Sequence, residues 1–383
     1  MPLVGNGKTS AGTPVGPLES DGKRTAVNPS PELQRGDPEV PRTLTQRAPF
    51  MFHAIYYEEE IKDHPRTRAF LEKYSDIPHI PCTRYGEIFN RKAQNFRAQK
   101  QNPALILARK HGSLALPTPE GYGIGDPHNY YFSHMLNCIF DCRYCFLQGM
   151  YRSAHYILFV NFEDFFDAIK NTLTAHNGER VSFFSGYDCD SLALEPVTQF
   201  VESSLPFFAA HPLATLELRT KSTQVRFLLD REPHPNVVAA MTLTPHRIAQ
   251  ALEHRAPPLR RRLEALKKLQ EKGWNIGLRL DPIIYCENWQ EEYQRFYEEV
   301  FSTISLERLH SVSMGAFRVP RGVFKNMARL YPEEKLFAHS LEEKNGAVTY
   351  KENIEREMIA FCADQILAYV PETQFFPCCE VVK

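Results

Sequence analysis

Residues 137–148 read Asn-Cys-Ile-Phe-Asp-Cys-Arg-Tyr-Cys-Phe-Leu-Gln and place three cysteines, Cys138, Cys142 and Cys145, in one short loop. An aromatic run over 129–135, which we predict to be a strand, directly precedes the loop. A [4Fe–4S] cluster is usually held by four cysteine thiolates, so three leave one iron without a protein ligand. An open coordination position is where a metal centre binds a small molecule and carries out chemistry. The spacing therefore predicts a catalytic iron–sulfur cluster.

Two alternatives to the cluster remain open at this stage. A structural zinc site needs four ligands, usually from a second pair of cysteines or histidines. Cys378 and Cys379 are adjacent to each other and far along the chain, so they do not have that spacing, and we derive no role for them. Three buried structural thiols are the other alternative, but three within eight residues are hard to explain in this way.

The C-x3-C-x2-C spacing, with the aromatic Tyr144 just before the third cysteine, resembles the signature of the radical S-adenosylmethionine (radical SAM) enzymes. In that superfamily the open iron binds the amino and carboxylate groups of SAM and reduces it to a 5'-deoxyadenosyl radical. The resemblance therefore implies two cofactors, a [4Fe–4S] cluster and SAM. It also implies an electron donor such as flavodoxin or ferredoxin.

The composition is that of an ordinary globular protein. Of the 383 residues, 43% are hydrophobic and 24% are charged, and the formal net charge is −1. The small net charge gives no global field that would attract nucleic acid, so binding to DNA needs a local basic surface. The nine cysteines and the absence of a long apolar run favour a cytoplasmic protein with reduced thiols, without membrane spans.

Changes in composition predict three parts of the chain. Residues 1–48 are rich in Gly, Pro, Ser and Thr, and we expect a disordered tail. Residues 49–125 have short strand and helix patterns, which predict a small N-terminal α/β cap. Residues 126–383 are expected to form the catalytic domain with a C-terminal extension.

Within the catalytic domain, apolar runs alternate with helical patterns. The clearest helix is predicted over 257–272, where leucines recur on one face and Gly273 follows as a stop signal. Such alternation predicts right-handed βα units and a parallel sheet, with functional residues at the carboxyl ends of the strands. Six such units fit the partial (β/α)6 barrel of the radical SAM superfamily. The six predicted strands cover 129–135, 181–187, 215–221, 237–244, 275–284 and 309–317.

Several further segments resemble the spore photoproduct lyase family. Residues 145–148 (Cys-Phe-Leu-Gln), followed by 157–161 ending in Val-Asn, are similar to the family's C-Y-L-Q and V-N segments. Residues 273–283 resemble its G-[YW]-x-[IL]-G-x4-P-I segment. The resemblance covers the chain from about residue 50 onward. In that family a methylene-bridged thymine dimer in DNA is cleaved after the adenosyl radical removes hydrogen from C6.

The resemblance implies a thiol outside the cluster that returns hydrogen to the thymine radical. Cys189 follows the second predicted strand and is placed like the family's hydrogen-atom donor. Cys286 is the alternative donor. From its polar neighbours we expect Cys189 to face solvent or substrate. Tyr144 would lie near SAM. The family uses a second tyrosine after the third cysteine, where this chain has Phe146, so SAM regeneration or the substrate is expected to differ.

For SAM binding the resemblance implies Ser191, Lys221 and Thr242, each at or near a predicted strand end. Lys221 is suited to pair with the SAM carboxylate as a point charge. Asp281 stands where the family usually has a small residue, and it adds a carboxylate near SAM.

Contacts with DNA are predicted for Arg318 and Arg321, after the sixth strand, on phosphate or at an extruded lesion. Further basic residues fit either a phosphate footprint or a solvated helix face. They are Arg91, Lys92, Arg97, Lys100, Arg109 and Lys110 in the cap, and Arg255, Arg260, Arg261, Arg262, Lys267 and Lys268 in the barrel.

The favoured function is thus a carbon–carbon lyase acting on a thymine dimer in DNA, with damaged DNA as its partner. One alternative is a radical SAM enzyme on a different substrate. The other is a nucleic-acid-binding protein whose cluster is structural. The oligomeric state stays open.

Overall fold

The computed structural model describes residues 51–378, so the predicted tail and Cys379 lie outside it. In chain order the strands are β1 (Ile55–Glu58), β2 (His79–Cys82), β3 (Leu105–Ala108), β4 (Leu116–Pro117), β5 (His128–Phe132), β6 (Met135–Leu136), β7 (Asp141–Cys142), β8 (Tyr156–Phe159), β9 (Val181–Ser185), β10 (Ala214–Thr220), β11 (Val237–Thr242), β12 (Glu253–His254), β13 (Asn275–Ile283), β14 (Leu309–Ala316), β15 (Arg318–Pro320), β16 (Leu341–Lys344), β17 (Ala347–Tyr350) and β18 (Phe375–Pro377). The α-helices are α1 (Pro65–Lys73), α2 (Gly86–Phe89), α3 (Phe96–Gln101), α4 (Leu147–Met150), α5 (Phe162–Ala175), α6 (Glu195–Thr198), α7 (Phe200–Ala210), α8 (Arg226–Leu229), α9 (His246–Leu252), α10 (Leu259–Lys272), α11 (Trp289–Thr303), α12 (Arg321–Leu330) and α13 (Glu352–Leu367).

The largest sheet has eight strands, in the order β18-β14-β13-β11-β10-β9-β5-β4. Its six central strands, from β5 to β14, are the six that the sequence predicts, and each pairs in parallel with its neighbour. Strands that follow one another in the chain lie side by side, as successive right-handed βα units require. β18 continues the sheet in parallel, and β4 is antiparallel to β5.

The helix α10 illustrates why the helices cover this sheet. Leu263, Leu266 and Leu269 recur at three-residue spacing and are buried, so one face of the helix packs inward. The helix ends at Gly273, whose φ of +108° is the left-handed conformation in which a side chain would be strained.

A second sheet of five strands has the order β2-β1-β3-β8-β6. β1 and β3 come from the predicted cap, whereas β8 follows the cysteine loop and pairs with β3 in parallel along its whole length. Segments from both sides of the predicted boundary at residue 125 therefore share one sheet, and the domain boundaries themselves stay a prediction. The segment 157–161, which resembles the family's V-N segment, contains most of the buried strand β8.

The C-terminal part adds a three-stranded antiparallel sheet, β15-β17-β16, beside α12 and α13. A turn at Asn345 and Gly346, both with positive φ, connects β16 to β17. Among the helices of residues 51–378, none has the length and apolar character that crossing a membrane requires. The cytoplasmic location stays a prediction.

Candidate active site

A cavity of about 560 Å³ lies at the carboxyl ends of the parallel strands. This is the end at which barrel folds of this kind carry their functional residues. The cavity gathers side chains that are far apart in the sequence. From the predicted set it is lined by Cys138, Cys142, Cys145, Tyr144, Cys189, Lys221, Thr242, Asp281 and Arg318.

Backbone pairing on two sides fixes the cysteine loop. β6, just before the loop, is antiparallel to β8, and β7, inside the loop, is antiparallel to β12. The Arg143 amide donates to the Leu252 carbonyl over 2.8 Å. The buried Asn137 side chain donates to the carbonyls of Ser153 and His155. The loop is therefore held as part of the sheet framework, although it contains little regular structure.

The three loop cysteines are free thiols on one wall of the cavity. Burial raises the pKa of Cys138 to about 12, and it also raises the pKa of Cys142 and of Cys145. The charges of Lys100 and Lys221 partly oppose this rise. The thiols are thus protonated until a metal displaces their protons. Three free thiols flanked by two ammonium groups suit an anionic [4Fe–4S] cluster with one open iron.

Lys100 supports the loop from α3. Its ammonium is buried, with 6% of the residue exposed, and it donates to the carbonyls of Cys138 (3.1 Å) and Phe140 (2.8 Å). The Arg255 guanidinium in turn donates to the Lys100 carbonyl over 2.8 Å. The expectation that Lys100 lies on a phosphate footprint or a solvated face was therefore wrong. Its charge points into the protein because the loop carbonyls need donors.

Beneath the loop lies a buried ion pair between Glu253 and Arg262. The Tyr144 hydroxyl also donates to Glu253, and Thr244 donates to the same carboxylate over 3.0 Å. Burial alone would raise the pKa of Glu253, but the Arg262 charge outweighs it, and the pKa is lowered. The pKa of Tyr144 is raised well above its usual value, chiefly by burial. Tyr144 is therefore a protonated phenol tied to a carboxylate.

The expectation that Arg262 contacts phosphate or water was also wrong, because this side chain is fully buried. A signal in the sequence could have placed it correctly. Arg262 is three residues after Leu259 and four before Leu266, so it lies on the apolar face of α10. No sequence pattern indicated that Glu253 is its partner, because this ion pair depends on how β12 packs against α10.

Cys189 lines the cavity from the turn after β9, and 9% of it is exposed. Of the two expected positions, facing solvent or facing substrate, a buried side chain at the cavity wall fits the second. Burial raises the pKa of the Cys189 thiol well above its usual value. Gly186 makes the turn possible, because its φ is +83° and an added Cβ would lie 2.5 Å from the Ser191 hydroxyl oxygen. The rival Cys286 is not among the described residues that line the cavity.

Ser191 is buried and donates to the Ser185 carbonyl over 2.9 Å. It supports the turn and does not line the cavity. The neighbouring Asp190, to which no motif in the sequence had pointed, does line it. Its carboxylate accepts hydrogen bonds from the Thr220 hydroxyl (2.6 Å) and the Lys221 amide (2.7 Å). Asp190 thereby joins the ends of β9 and β10 and positions Lys221, whose Nζ lies 5.4 Å from the centroid of the Tyr144 ring.

The cavity wall also carries a second polar group, around Asp281. The Asp281 carboxylate is 3.4 Å from the Arg219 guanidinium and accepts a hydrogen bond from Ser313 over 3.1 Å. Arg219 also lines the cavity, although no sequence pattern had singled it out. Behind it, Glu217 forms a fully buried ion pair with Arg279, at 2.6 Å. The Asp281 carboxylate therefore lines the cavity while paired with Arg219.

Near the mouth of the cavity, Arg318 donates to the Tyr122 hydroxyl over 2.6 Å. Arg321 is outside the cavity wall and forms an exposed ion pair with Glu343 at 3.1 Å. The two arginines predicted together therefore have different surroundings.

The residue that replaces the family's second tyrosine lies in an aromatic group at the cavity wall. Phe146 lies 5.7 Å from Tyr187, measured between ring centroids, and Tyr187 stacks on Tyr131 at 4.2 Å. Cys378 also lines the cavity. The cavity thus has a phenylalanine ring at position 146, with tyrosine rings beside it.

Comparison with known proteins identifies the family of this chain. The family model described as Spore photoproduct lyase matches residues 50–375. The spore photoproduct lyase of Bacillus subtilis is 22% identical over 296 residues, covering 75% of this chain and 84% of that protein. The enzyme of Clostridium acetobutylicum is 19% identical over 292 residues, with the same shares covered.

Among solved structures, a spore photoproduct lyase variant with bound AdoMet and dinucleoside spore photoproduct has a TM-score of 0.76 at 18% identity, covering 86% of this chain and 99% of that chain. Another, complexed with the dinucleoside spore photoproduct, has a TM-score of 0.73 at the same identity and coverage. These likenesses confirm the predicted α/β partial-barrel fold. Because the family model matches most of the length of this chain, the chain belongs to the spore photoproduct lyase family.

Proposed function

We propose that this protein is a radical SAM lyase that cleaves the methylene-bridged thymine dimer in DNA. One observation carries the proposal: a single cavity brings together the three loop cysteines and the separate thiol of Cys189. Solved relatives described as binding AdoMet and the dinucleoside spore photoproduct support both the cofactor and the substrate.

Cys138, Cys142 and Cys145 would hold a [4Fe–4S] cluster through their thiolates. When bound, the cluster and SAM supply a 5'-deoxyadenosyl radical that removes a hydrogen atom from the substrate. Lys221 faces the same cavity with an ammonium group suited to the SAM carboxylate. Thr242 and Asp281 complete the polar residues proposed for SAM, while Ser191 acts by shaping the turn.

Cys189 is proposed to donate a hydrogen atom to the thymine radical. The raised pKa keeps this residue as S–H at neutral pH, and a thiolate would have no hydrogen atom to give. In the step, the S–H bond breaks, a C–H bond forms on the thymine, and a thiyl radical remains on Cys189. Burial of the thiol limits access of water and oxidants to that radical.

Tyr144 is proposed to relay a hydrogen atom from 5'-deoxyadenosine to the Cys189 thiyl radical after repair, so that the S–H bond of Cys189 forms again as a C–H bond of 5'-deoxyadenosine breaks. Its phenol donates to Glu253, so a proton acceptor is in place if the ring is oxidised. Phe146 has no hydroxyl, which removes one partner from the relay that the family resemblance implies. Phe146 and the carboxylate of Asp281 favour the second candidate, a radical SAM enzyme acting on another substrate.

The test is anaerobic reconstitution with iron and sulfide, followed by dithionite, SAM and a synthetic spore-photoproduct dinucleotide. We expect repaired dinucleotide and 5'-deoxyadenosine, with both lost in Cys142→Ala. 5'-Deoxyadenosine without repair would point to a different substrate. Neither product, from protein with an intact cluster, would favour a structural cluster.

The donor assignment has its own matched pair of variants. Cys189→Ala is expected to lower the yield of repaired dinucleotide at least tenfold and to divert the radical to other products. Cys286→Ala changes a thiol outside the cavity wall and is expected to repair normally. Full repair by Cys189→Ala would remove the donor assignment.

Arg318 is proposed to contact the phosphate of the lesion, since its guanidinium is at the cavity wall. Arg318→Ala should raise the KM for the dinucleotide more than it lowers kcat. Arg321 is paired with Glu343 away from the wall, so Arg321→Ala is the matched control. An equal effect of both variants on KM would argue against a specific contact. The electron donor stays a prediction to be tested separately, and the oligomeric state stays open.

A further inference from the structure

A cluster of His128, His176 and Glu179 lies at the amino ends of the barrel strands, opposite the cavity. His128 begins β5, His176 follows α5, and Glu179 stands two residues before β9. One possible ligand atom from each side chain lies within 4.8 Å of the other two. None of the three contributes to the catalytic cavity or to the proposed reaction.

The contacts within this cluster are close. His128 Nε2 is 2.5 Å from a carboxylate oxygen of Glu179. The two imidazole rings stack with their centroids 3.6 Å apart and their planes at 22°. Imidazole nitrogens are the commonest metal ligands in proteins, so two adjacent rings beside a carboxylate bring three suitable ligand groups together. The Tyr130 hydroxyl reaches His176 Nε2 at 2.9 Å and helps to hold that ring.

We propose that His128, His176 and Glu179 form a zinc site. Two imidazole nitrogens and one carboxylate oxygen are a ligand set that Zn²⁺ accepts in proteins, with water in the fourth position. Bonds of about 2.0–2.2 Å to a tetrahedral metal separate two ligand atoms by roughly 3.4 Å. The present spacings, from 2.5 Å to at most 4.8 Å, bracket that value. Zinc binding would tilt the two stacked rings apart so that their nitrogen lone pairs converge on the ion.

A zinc ion at this site would connect three segments of the barrel. The three ligands come from the start of β5, the end of α5 and the approach to β9, so one ion would hold the first βα unit closed. β5 is the strand that leads into the cysteine loop, and its partner in the sheet is β9. A ligand that binds only the folded state stabilises it in proportion to the logarithm of its concentration. Zinc should therefore raise the melting temperature.

The experiment is a Zn²⁺ titration of the cluster-loaded protein under anaerobic conditions, with metal content measured after dialysis. We expect one zinc per chain beyond the iron, and a higher melting temperature with zinc. His128→Ala and His176→Ala should each lose both effects. His246→Ala, which changes an exposed histidine on α9, should retain them.

Glu179→Gln serves as a second variant because Glu179 is exposed and its replacement does not threaten folding. It should weaken zinc binding at least tenfold by removing the ligand charge. X-ray absorption at the zinc edge distinguishes this site from the cysteine loop. A first shell of nitrogen and oxygen near 2.0–2.1 Å supports the proposal, and sulfur near 2.3 Å overturns it. Zinc binding that is unchanged in all three variants, or absent from wild type, also overturns it.

Discussion

The two sides of the catalytic cavity are held together by different kinds of contact. On the cluster side, the ion pair of Arg262 and Glu253 is almost wholly buried, with side-chain exposures of 0% and 1%. On the side of the mouth, just outside the cavity wall, Arg321 and Glu343 pair at exposures of 54% and 44%. A buried charge cannot exchange its partner for water, whereas an exposed one can at little cost. We therefore expect the cluster side to be more rigid than the surface beside the mouth.

The largest effect is expected from Arg262→Met. The substitution leaves Glu253 as a buried carboxylate without its cation, and it removes a donor from the Thr242 carbonyl. Breaking a buried pair in this way costs about 3–5 kcal/mol of folding free energy. Urea denaturation of wild type and variant would measure the loss.

The double variant Glu253→Gln/Arg262→Met provides the control, because it removes both charges. It should recover part of the loss. A loss below about 1 kcal/mol for the single variant would mean that the cluster side is not held by this pair.

Acidification should weaken a second buried ion pair, that of Glu217 and Arg279 behind Asp281. Burial alone would raise the pKa of Glu217, but Arg279 and Arg219 outweigh it and lower the pKa from 4.5 to about 2. Because the folded-state pKa is the lower one, the contribution to stability is complete above about pH 4.5 and is lost as the pH falls towards about 2. Melting temperatures between pH 5 and 3 should fall more steeply for wild type than for Glu217→Gln. Equal slopes would contradict the role given to this carboxylate.

A smaller loss of stability is expected from Lys100→Met. The variant leaves the loop carbonyls of Cys138 and Phe140 without their buried donor, at a cost of about 1–3 kcal/mol. Removing a positive charge beside the cluster should also make its reduction potential more negative. Iron content and the potential of the loaded protein test this prediction. Lys92→Met, at an exposed position, is the control and should change neither.

The smallest effect is expected at the mouth. Arg321→Ala removes an exposed ion pair and should change the folding free energy by less than about 1 kcal/mol. Denaturant unfolding measured alongside Arg262→Met gives the comparison directly. A cost near that of Arg262→Met would show that the mouth is as rigid as the cluster side.

The sequence predicted much of the fold because the relevant patterns are local. Apolar runs of strand length, separated by helical spacing, identified all six central strands to within a few residues. The shared sheet of β1, β3 and β8 was missed, because pairing between strands so far apart leaves no local pattern. The tight spacing of Cys138, Cys142 and Cys145 likewise indicated a cluster, because all three ligands belong to one short loop.

Only the tertiary structure decided what surrounds those cysteines. Lys100 and Arg262 read as surface charges, yet both are buried, because partners distant in the sequence meet them across the packed chain. Ser191 was separated from the cavity by a turn whose shape depends on Gly186. The sequence by itself determined which atoms are available for chemistry, since reactivity belongs to the residue type. Packing decided how far the reactive side chains are buried, which charges they pair with and which way they point. Each of these depends on contacts between segments that come together only when the chain is folded.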